Sequence, residues 1–187
     1  MNLLHRQAWR RIALGFPERF NANRAGTATI EFAIVASALM MIMLNGVEVA
    51  RYYYGRMELQ NAVQMASGAV WKLCDTSAKL PTSTNCANRN TKITTALQST
   101  SLGNAITLSS GFPTEGYFCI NTTTGALQSA GSSQPANCSP YGGTSSQSAG
   151  YYLTIQAQYT YAPIFSSVTV GGSLPTTVVA KTVTRLS

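Results

Sequence analysis

The hydrophobic pattern of this chain is uneven, because apolar residues concentrate between positions 30 and 73. From Phe32 to Val47 no residue is charged, and the one acid at the start of this run is Glu31. A helix over residues 30–50 rises roughly 30 Å at about 1.5 Å per residue, which matches the hydrocarbon thickness of a bilayer. Three consecutive tyrosines at positions 52–54 follow where an interfacial aromatic belt is expected. The pattern predicts a membrane-spanning helix.

Residues 27–73 are predicted to form one long helix whose second half is amphipathic. Mostly apolar residues recur there every three or four positions, the spacing of one helix face. This stripe comprises Val49, Tyr52, Arg56, Leu59, Val63, Ala66, Val70 and Leu73. It either packs only on the chain's own C-terminal domain or packs in part on neighbouring helices, and the spacing does not distinguish the two. Within the span, Gly46 permits close approach of another helix in a membrane.

Residues 74–150 are polar and rich in Thr, Ser and Asn, and most of this region is predicted to be loop. Residues 74–116 are predicted to be linker-like, with a short helix over residues 92–99 and a short strand over residues 105–108. Residues 117–120 and 126–130 flank a Thr-rich turn that ends at Gly125, which predicts a hairpin. Residues 131–150 are predicted to be a mobile surface loop that only Cys138 holds in place.

The clearest strand covers residues 151–161, where apolar and polar residues alternate with period two. Its predicted buried face comprises Leu153, Ile155, Ala157, Tyr159 and Tyr161. Residues 176–186 are β-branched and predict a second strand, in which Val179 and Val183 share a face with Lys181 and Arg185. The segment between these strands is either a long hairpin connection or a short extra element. The predicted fold is α+β, with a small antiparallel sheet packed on the amphipathic half of the helix.

Positive charge is concentrated ahead of the apolar run. Residues 1–26 contain five arginines and one glutamate, a net charge of +4 out of +7 for the whole chain. A basic segment ahead of an apolar helix predicts a cytoplasmic N-terminus by the positive-inside rule. Nucleic-acid binding requires a clustered Lys/Arg face on a folded domain, and residues 74–187 supply only five scattered basic residues. The sequence therefore predicts a membrane partner and no nucleic acid.

All four cysteines, Cys74, Cys86, Cys119 and Cys138, follow the apolar helix, which suits an oxidising compartment. A zinc site is disfavoured because no CxxC pair exists and His5 is the only histidine. Three disulfide connectivities are open. Pairing of Cys74 with Cys86 and of Cys119 with Cys138 is preferred, because neighbours in sequence close small loops.

Motifs that carry enzymatic chemistry are absent from the sequence, which lacks GxGxxG, P-loop, HExxH and GxSxG patterns. Without a histidine beyond His5, a Ser-His or Cys-His nucleophilic pair cannot form in the exported part. Asp75 and Glu115 are the acids there, and both are assigned to loops. The sequence predicts a protein that is not an enzyme and that takes no cofactor or metal.

The junction Ala25-Gly26-Thr27 precedes the apolar run, whereas an ordinary secretory signal is cut after its apolar region. The pair Arg10-Arg11 is a weak match to a twin-arginine export signal, because the apolar run does not follow it directly. Gly26 is followed, four residues later, by Ile30, Glu31, Phe32, Ala33 and Ile34. This spacing resembles the leader junction of TadE-like minor pilins (pseudopilins) of the Flp/Tad type IVb pilus system. Residues 46–51, GVEVAR, resemble the segment that closes the helix in that family. Many members have a proline where this chain has Ser37.

The resemblance implies cleavage between Gly26 and Thr27 by an inner-membrane prepilin peptidase. Residues 1–26 would then be a removed leader, residues 27–50 a transmembrane and assembly helix, residues 51–73 its amphipathic continuation, and residues 74–187 an exported α+β domain. Glu31 would pair with the new α-amino group of Thr27, or with that of a neighbouring subunit. The alternative for Glu31 is an interfacial acid whose side chain reaches water.

The function that the resemblance implies is a minor pilin that acts in pilus assembly or at the pilus tip, and so in surface adhesion. Its implied partners are the peptidase, the other major and minor pilins, and the Tad inner-membrane assembly platform. Its implied location is the bacterial inner membrane, crossed once with the C-terminal domain in the periplasm, and the extracellular pilus after assembly. Two other functions stay open: a permanently anchored envelope protein whose exported domain binds a ligand, and a general secretion pseudopilin.

Overall fold

A computed structural model describes residues 25–165 and 170–187. The predicted leader, apart from its last two residues, lies outside the described residues. The chain divides into two units, the first ending at Val47 and the second running from Glu48 to Ser187. The second unit therefore takes in the second half of the long helix together with the C-terminal domain.

One long helix, α1 (Ala25–Leu73), dominates the N-terminal part, which confirms the predicted helix over residues 27–73. The sequence over this range contains no proline and places small or apolar residues at most positions, so nothing interrupts the hydrogen-bond ladder. At its C-terminal end the Lys79 ammonium donates a hydrogen bond to the Leu73 carbonyl at 2.8 Å. This contact satisfies one of the carbonyls that a helix end leaves unpaired.

In the described residues after α1 there are two short helices and five strands. The helices are α2 (Thr82–Asn85) and α3 (Arg89–Leu97). The strands are β1 (Ile106–Leu108), β2 (Thr114–Ile120), β3 (Leu127–Gly131), β4 (Gly150–Thr160) and β5 (Thr177–Arg185). Short 3-10 turns lie at Ser77–Lys79, Gly103–Ala105, Ser139–Tyr141 and Val170–Ser173.

The strands form one five-stranded antiparallel sheet with β4 at its centre. β5 pairs with β4 from Tyr152 opposite Arg185 to Thr160 opposite Thr177. On the other side of β4, β2 pairs with its first half and β1 with its second half. β3 pairs with β2 and forms the predicted hairpin. The α+β prediction is confirmed, and the element between β4 and β5 includes a 3-10 turn.

The main core of the described residues lies between the second half of α1 and one face of the sheet, and Cys119, Cys138 and Ala149 form a second, smaller cluster. The predicted face of β4 is buried: Leu153, Ile155, Ala157, Tyr159 and Tyr161 are each no more than 6% exposed. They belong to the same core as Leu59, Ala62, Val63, Ala66 and Val70 of α1. The stripe from Leu59 to Leu73, together with Tyr52, therefore packs on the chain's own domain, whereas Arg56 is exposed. Val179 and Val183 lie on the opposite, solvent face of β5 and are 47% and 44% exposed.

The linker prediction is wrong, and the prediction for residues 131–150, which are largely exposed loop as expected, is wrong about what holds them. Residues 74–116 are not a linker, because α3 buries Ile93 and Leu97 in the core. The loop over residues 131–150 is held by more than Cys138, since Thr122 donates a backbone hydrogen bond to Gly142 at 2.9 Å. Polar composition alone hides such order, because Ser, Thr and Asn side chains also build turns and backbone contacts.

The disulfides join Cys74 to Cys86 and Cys119 to Cys138, which is the preferred connectivity. The first ties the end of α1 to the end of α2. The second ties β2 to the loop before β4. Each closes a short stretch, 12 and 19 residues apart in sequence, and so restricts a part of the domain that is poor in apolar residues.

Candidate assembly site

The residues predicted to carry processing lie on the first two turns of α1. Gly26, Thr27, Glu31 and Phe32 are all exposed, and Phe32 is 73% exposed. A Cβ at Gly26 would have nothing within 4 Å. Thr27 and Glu31 are four residues apart and therefore share a helix face. Within the part of the chain that the structure describes, Glu31 has no basic partner within ion-pair distance.

The described residues of the first unit, 25–47, form an apolar helix whose side chains are mostly exposed. Its large exposed side chains are Ile30, Phe32, Ile34, Val35, Leu39, Met40, Met41, Ile42, Met43 and Val47. They occur on all sides of the helix, which is typical of a helix that lies in lipid or among other helices. By length and composition the helix from Gly26 is able to cross a membrane, with a mean hydropathy of 2.0 over its most apolar window. It is compatible with a single-pass membrane anchor.

Polar side chains inside this apolar helix bond to its own backbone. Ser37 Oγ donates to the Ile34 carbonyl at 2.8 Å, and Asn45 Nδ2 donates to the Met41 carbonyl at 2.8 Å. Because an unsatisfied polar group in hydrocarbon costs several kcal/mol, such local bonds make these residues tolerable in a bilayer. α1 is continuous through Ser37.

A buried carboxylate at Glu48 joins the helix to the far end of β4 in the second unit. Glu48 is 0% exposed. Tyr161 Oη donates to its carboxylate and, at 3.2 Å, to its carbonyl. The backbone N–H groups of Ile164 and Phe165 donate to the carboxylate at 3.2–3.3 Å, and the Arg51 guanidinium lies 3.7 Å away. We call this arrangement the Glu48 cluster.

The Glu48 cluster was not predicted from the sequence, where Glu48 is only one letter of the GVEVAR segment. A signal was present: it is the first charged residue after the uncharged run, and Arg51 follows one turn later. Its other partners are more than a hundred positions away and give no local pattern. A buried charge requires such partners, because the cost of removing it from water is several kcal/mol.

About two turns beyond Glu48, Gly55 allows α1 to lie close to β4. A Cβ at Gly55 would be 2.1 Å from Tyr159 Oη, which is shorter than any real contact. Tyr159 is 6% exposed and cannot swing out without opening the core. Beside it, the rings of Tyr52 and Tyr161 meet edge to face at 5.2 Å. Gly55 and these rings fix how α1 is seated on the sheet.

Glu115 lies in β2 rather than in a loop, which corrects the sequence prediction. Its carboxylate accepts hydrogen bonds from the N–H groups of Thr82 and Ser83, both at 2.9 Å, and pairs with Arg89 at 3.3 Å. Burial opposes ionisation, but the bonds from Ser83 and Thr82 and the Arg89 charge hold the pKa of Glu115 below its usual value. Burial, together with this carboxylate, raises the pKa of Tyr151. The Glu115 carboxylate thus holds α2 and α3 to the sheet.

Comparison with known proteins identifies the N-terminal part. Residues 26–67 match the family described as TadE-like protein, which confirms the resemblance predicted from the sequence. The matched range contains the Gly26 junction, the apolar helix, Glu48 and Gly55, and it ends before the sheet begins. No curated protein and no solved structure matches this chain.

Proposed function

Starting from the TadE-like segment at residues 26–67, which is consistent with a Tad pilus protein, we propose that this chain is a minor pilin (pseudopilin) of a Tad-type pilus. It is processed by a prepilin peptidase and acts in pilus assembly or at the pilus tip, and so in surface adhesion. Its role is structural rather than catalytic. The observation that carries this proposal is an apolar helix, exposed on all sides, that begins at a glycine junction and bears a folded domain at its other end.

Processing is proposed between Gly26 and Thr27. A glycine has no Cβ and lets the backbone enter a narrow protease site. The cut would give Thr27 a free α-amino group on the same helix face as Glu31. A charged side chain within a membrane helix costs about 2.5–3.5 kcal/mol on insertion scales unless it is paired. We propose that the amine of Thr27, from the same or a neighbouring subunit, pairs with Glu31 during assembly.

In this proposal the apolar helix is surrounded first by lipid and then by the helices of other subunits. Before assembly the helix crosses the inner membrane once, with the basic segment in the cytoplasm and the disulfide-bonded domain in the periplasm. During assembly it moves from lipid into contact with the helices of other major and minor pilins on the inner-membrane platform. Gly46, whose Cβ position is open to 4 Å, permits one such helix to approach closely.

The test is the N-terminus of the mature protein, measured by intact mass and N-terminal sequencing after co-expression with a prepilin peptidase. We expect the wild-type chain to begin at Thr27 and the Gly26→Ala variant to be processed poorly. Gly46→Ala is the matched control, because it also adds one methyl group to an open glycine of the same helix, and it should be cut normally. Retention of Met1 in all three proteins would reject the pilin proposal.

The same experiment separates the alternatives. A permanently anchored envelope protein would keep residues 1–26 and would be indifferent to Gly26→Ala. A general secretion pseudopilin would also be cut, so it is distinguished by co-purification with a secretion platform rather than with Tad pilus components.

A further inference from the structure

Hydrogen bonds to a single residue of α1, Glu48, hold the loop that follows β4 against the helix. The Ile164 N–H lies 3.2 and 3.3 Å from the two carboxylate oxygens of Glu48, and the Phe165 N–H lies 3.3 Å from one of them. Tyr161, at the end of the strand, bonds to the same residue through its hydroxyl. The position of this loop along the helix is therefore set by Glu48.

Glu48 stands where the chain changes from apolar to polar. It is the first charged residue after the uncharged run that ends at Val47. The headgroup region on one side of a bilayer is roughly 5–7 Å thick, which corresponds to about four residues of helix. With the hydrocarbon part of the helix at residues 30–50, Glu48 lies in its last turn and residues 51–54 cross the headgroup region. Because helical side chains tilt toward the N-terminus, the Glu48 carboxylate and its loop lie at the hydrocarbon side of that region.

The loop exposes an apolar side chain, whereas its backbone N–H groups are hydrogen-bonded to Glu48. Ile164 is 58% exposed, but its N–H is bonded to Glu48. A loop can enter the edge of a bilayer only when its polar backbone groups have partners. Tyr53 and Tyr54, 54% and 53% exposed on α1, are residues that favour the same depth. Arg51 is 44% exposed and can attract anionic headgroups.

We propose that, before assembly, the loop at residues 163–165 lies in the membrane interface and that Ile164 contacts lipid. The occupant is the phospholipid bilayer itself, because the loop is hydrogen-bonded to the point at which the helix leaves it. The domain then has two points of contact with the membrane, the helix and this loop, which restricts its tilt over the surface. This inference rests on the membrane-anchored stage of the proposed function.

The experiment uses site-specific fluorescence in the full chain. The four native cysteines are all in disulfides, so one added cysteine gives a single reactive thiol. Three variants carry an environment-sensitive dye: Ile164→Cys in the loop, Met41→Cys in the apolar helix and Val179→Cys on the solvent face of the sheet. The native residues are comparably exposed, at 58%, 57% and 47%. The proteins are placed at low density in vesicles of phosphatidylethanolamine and phosphatidylglycerol with spin-labelled lipid quenchers.

We expect the Ile164→Cys dye to lose fluorescence with a quencher near the headgroups and much less with one near the chain ends. The Met41→Cys dye should respond most to the deep quencher, and the Val179→Cys dye to neither. If Ile164→Cys behaves like Val179→Cys while Met41→Cys is quenched, the loop inference is wrong and the anchor stands. If Ile164→Cys is shielded from lipid and from aqueous iodide alike, a second copy covers the loop and the inference is also wrong. If Met41→Cys is not quenched, the anchored stage of the proposed function fails as well.

Discussion

Replacement of Glu48 tests how the helix is joined to the domain. Glu48→Ala removes the acceptor of the Ile164 and Phe165 N–H groups, leaves the Tyr161 hydroxyl only its bond to the backbone carbonyl of residue 48, and leaves Arg51 without its counter-ion. Glu48→Gln keeps the size of the side chain and one acceptor oxygen but removes the charge. The two substitutions therefore separate the loss of the whole cluster from the loss of charge.

The magnitude follows from the burial of Glu48 at 0% exposure. The charge that remains, Arg51, is 44% exposed, so the cost is that of the lost hydrogen bonds to the carboxylate, about 1.5–3 kcal/mol. We expect Glu48→Ala to lower the free energy of unfolding by about 3 kcal/mol and Glu48→Gln by about 1.5 kcal/mol. For a chain of this size 1 kcal/mol corresponds to about 2–4 °C in Tm, so the alanine variant should melt roughly 6–12 °C lower.

The assay is thermal unfolding in detergent micelles, followed by circular dichroism of the sheet and of the tyrosine rings. Glu58→Ala is the matched control on the same helix, because Glu58 accepts hydrogen bonds from the exposed Ser101, at 3.2 Å from its N–H and 2.9 Å from its hydroxyl. Its loss should cost no more than about 1 kcal/mol. If Glu48→Ala and Glu58→Ala melt alike, the Glu48 cluster does not hold the helix to the domain and the reasoning is refuted.

Two further predictions concern the same domain. Gly55→Ala should lower Tm, because its Cβ would meet Tyr159 Oη and overpacking costs about 1–3 kcal/mol. Gly68→Ala, with nothing within 4 Å, should instead raise Tm through about 1 kcal/mol of helix propensity, and equal shifts in the two variants would contradict the close approach. The lowered pKa of Glu115 predicts stability that is present above the usual glutamate value, about 4.3, and is lost as the pH falls through the lowered value. Acid titration of Tm should be flatter for Glu115→Gln than for the wild type, whereas parallel titrations would show that the Arg89 pair contributes no pH dependence.

Much of the fold was predictable because its signals are local. α1 follows from an uninterrupted apolar run and a three-to-four spacing, and β4 follows from strict alternation, which assigns Leu153 and Ile155 to the core. The β2–β3 hairpin follows from two short runs around a glycine turn. Residues 74–116 were mispredicted because their burial depends on Ile93 and Leu97 meeting a core supplied by other segments.

The candidate site divides in the same way. The Gly26–Glu31–Phe32 spacing is contiguous and could be recognised in the sequence, and the family match covers it. The Glu48 cluster could not be predicted, since Glu48 and Tyr161 are 113 positions apart. Nor could the pairing of Arg89 with Glu115, which joins a short helix to a strand.

The sequence by itself determined the elements of this protein: a basic segment, a glycine junction, an uncharged span, an amphipathic continuation, a polar domain with four cysteines and two β-branched strands. The tertiary structure decided which of its few acids are buried and what they hold. In the folded protein Glu48 and Glu115 accept the hydrogen bonds that hold helix, loop and sheet together, and Gly55 lies in close contact with Tyr159. The physical reason is that periodicity depends on neighbours in the chain, whereas the cost of burying a charge is offset only by donors that folding brings together.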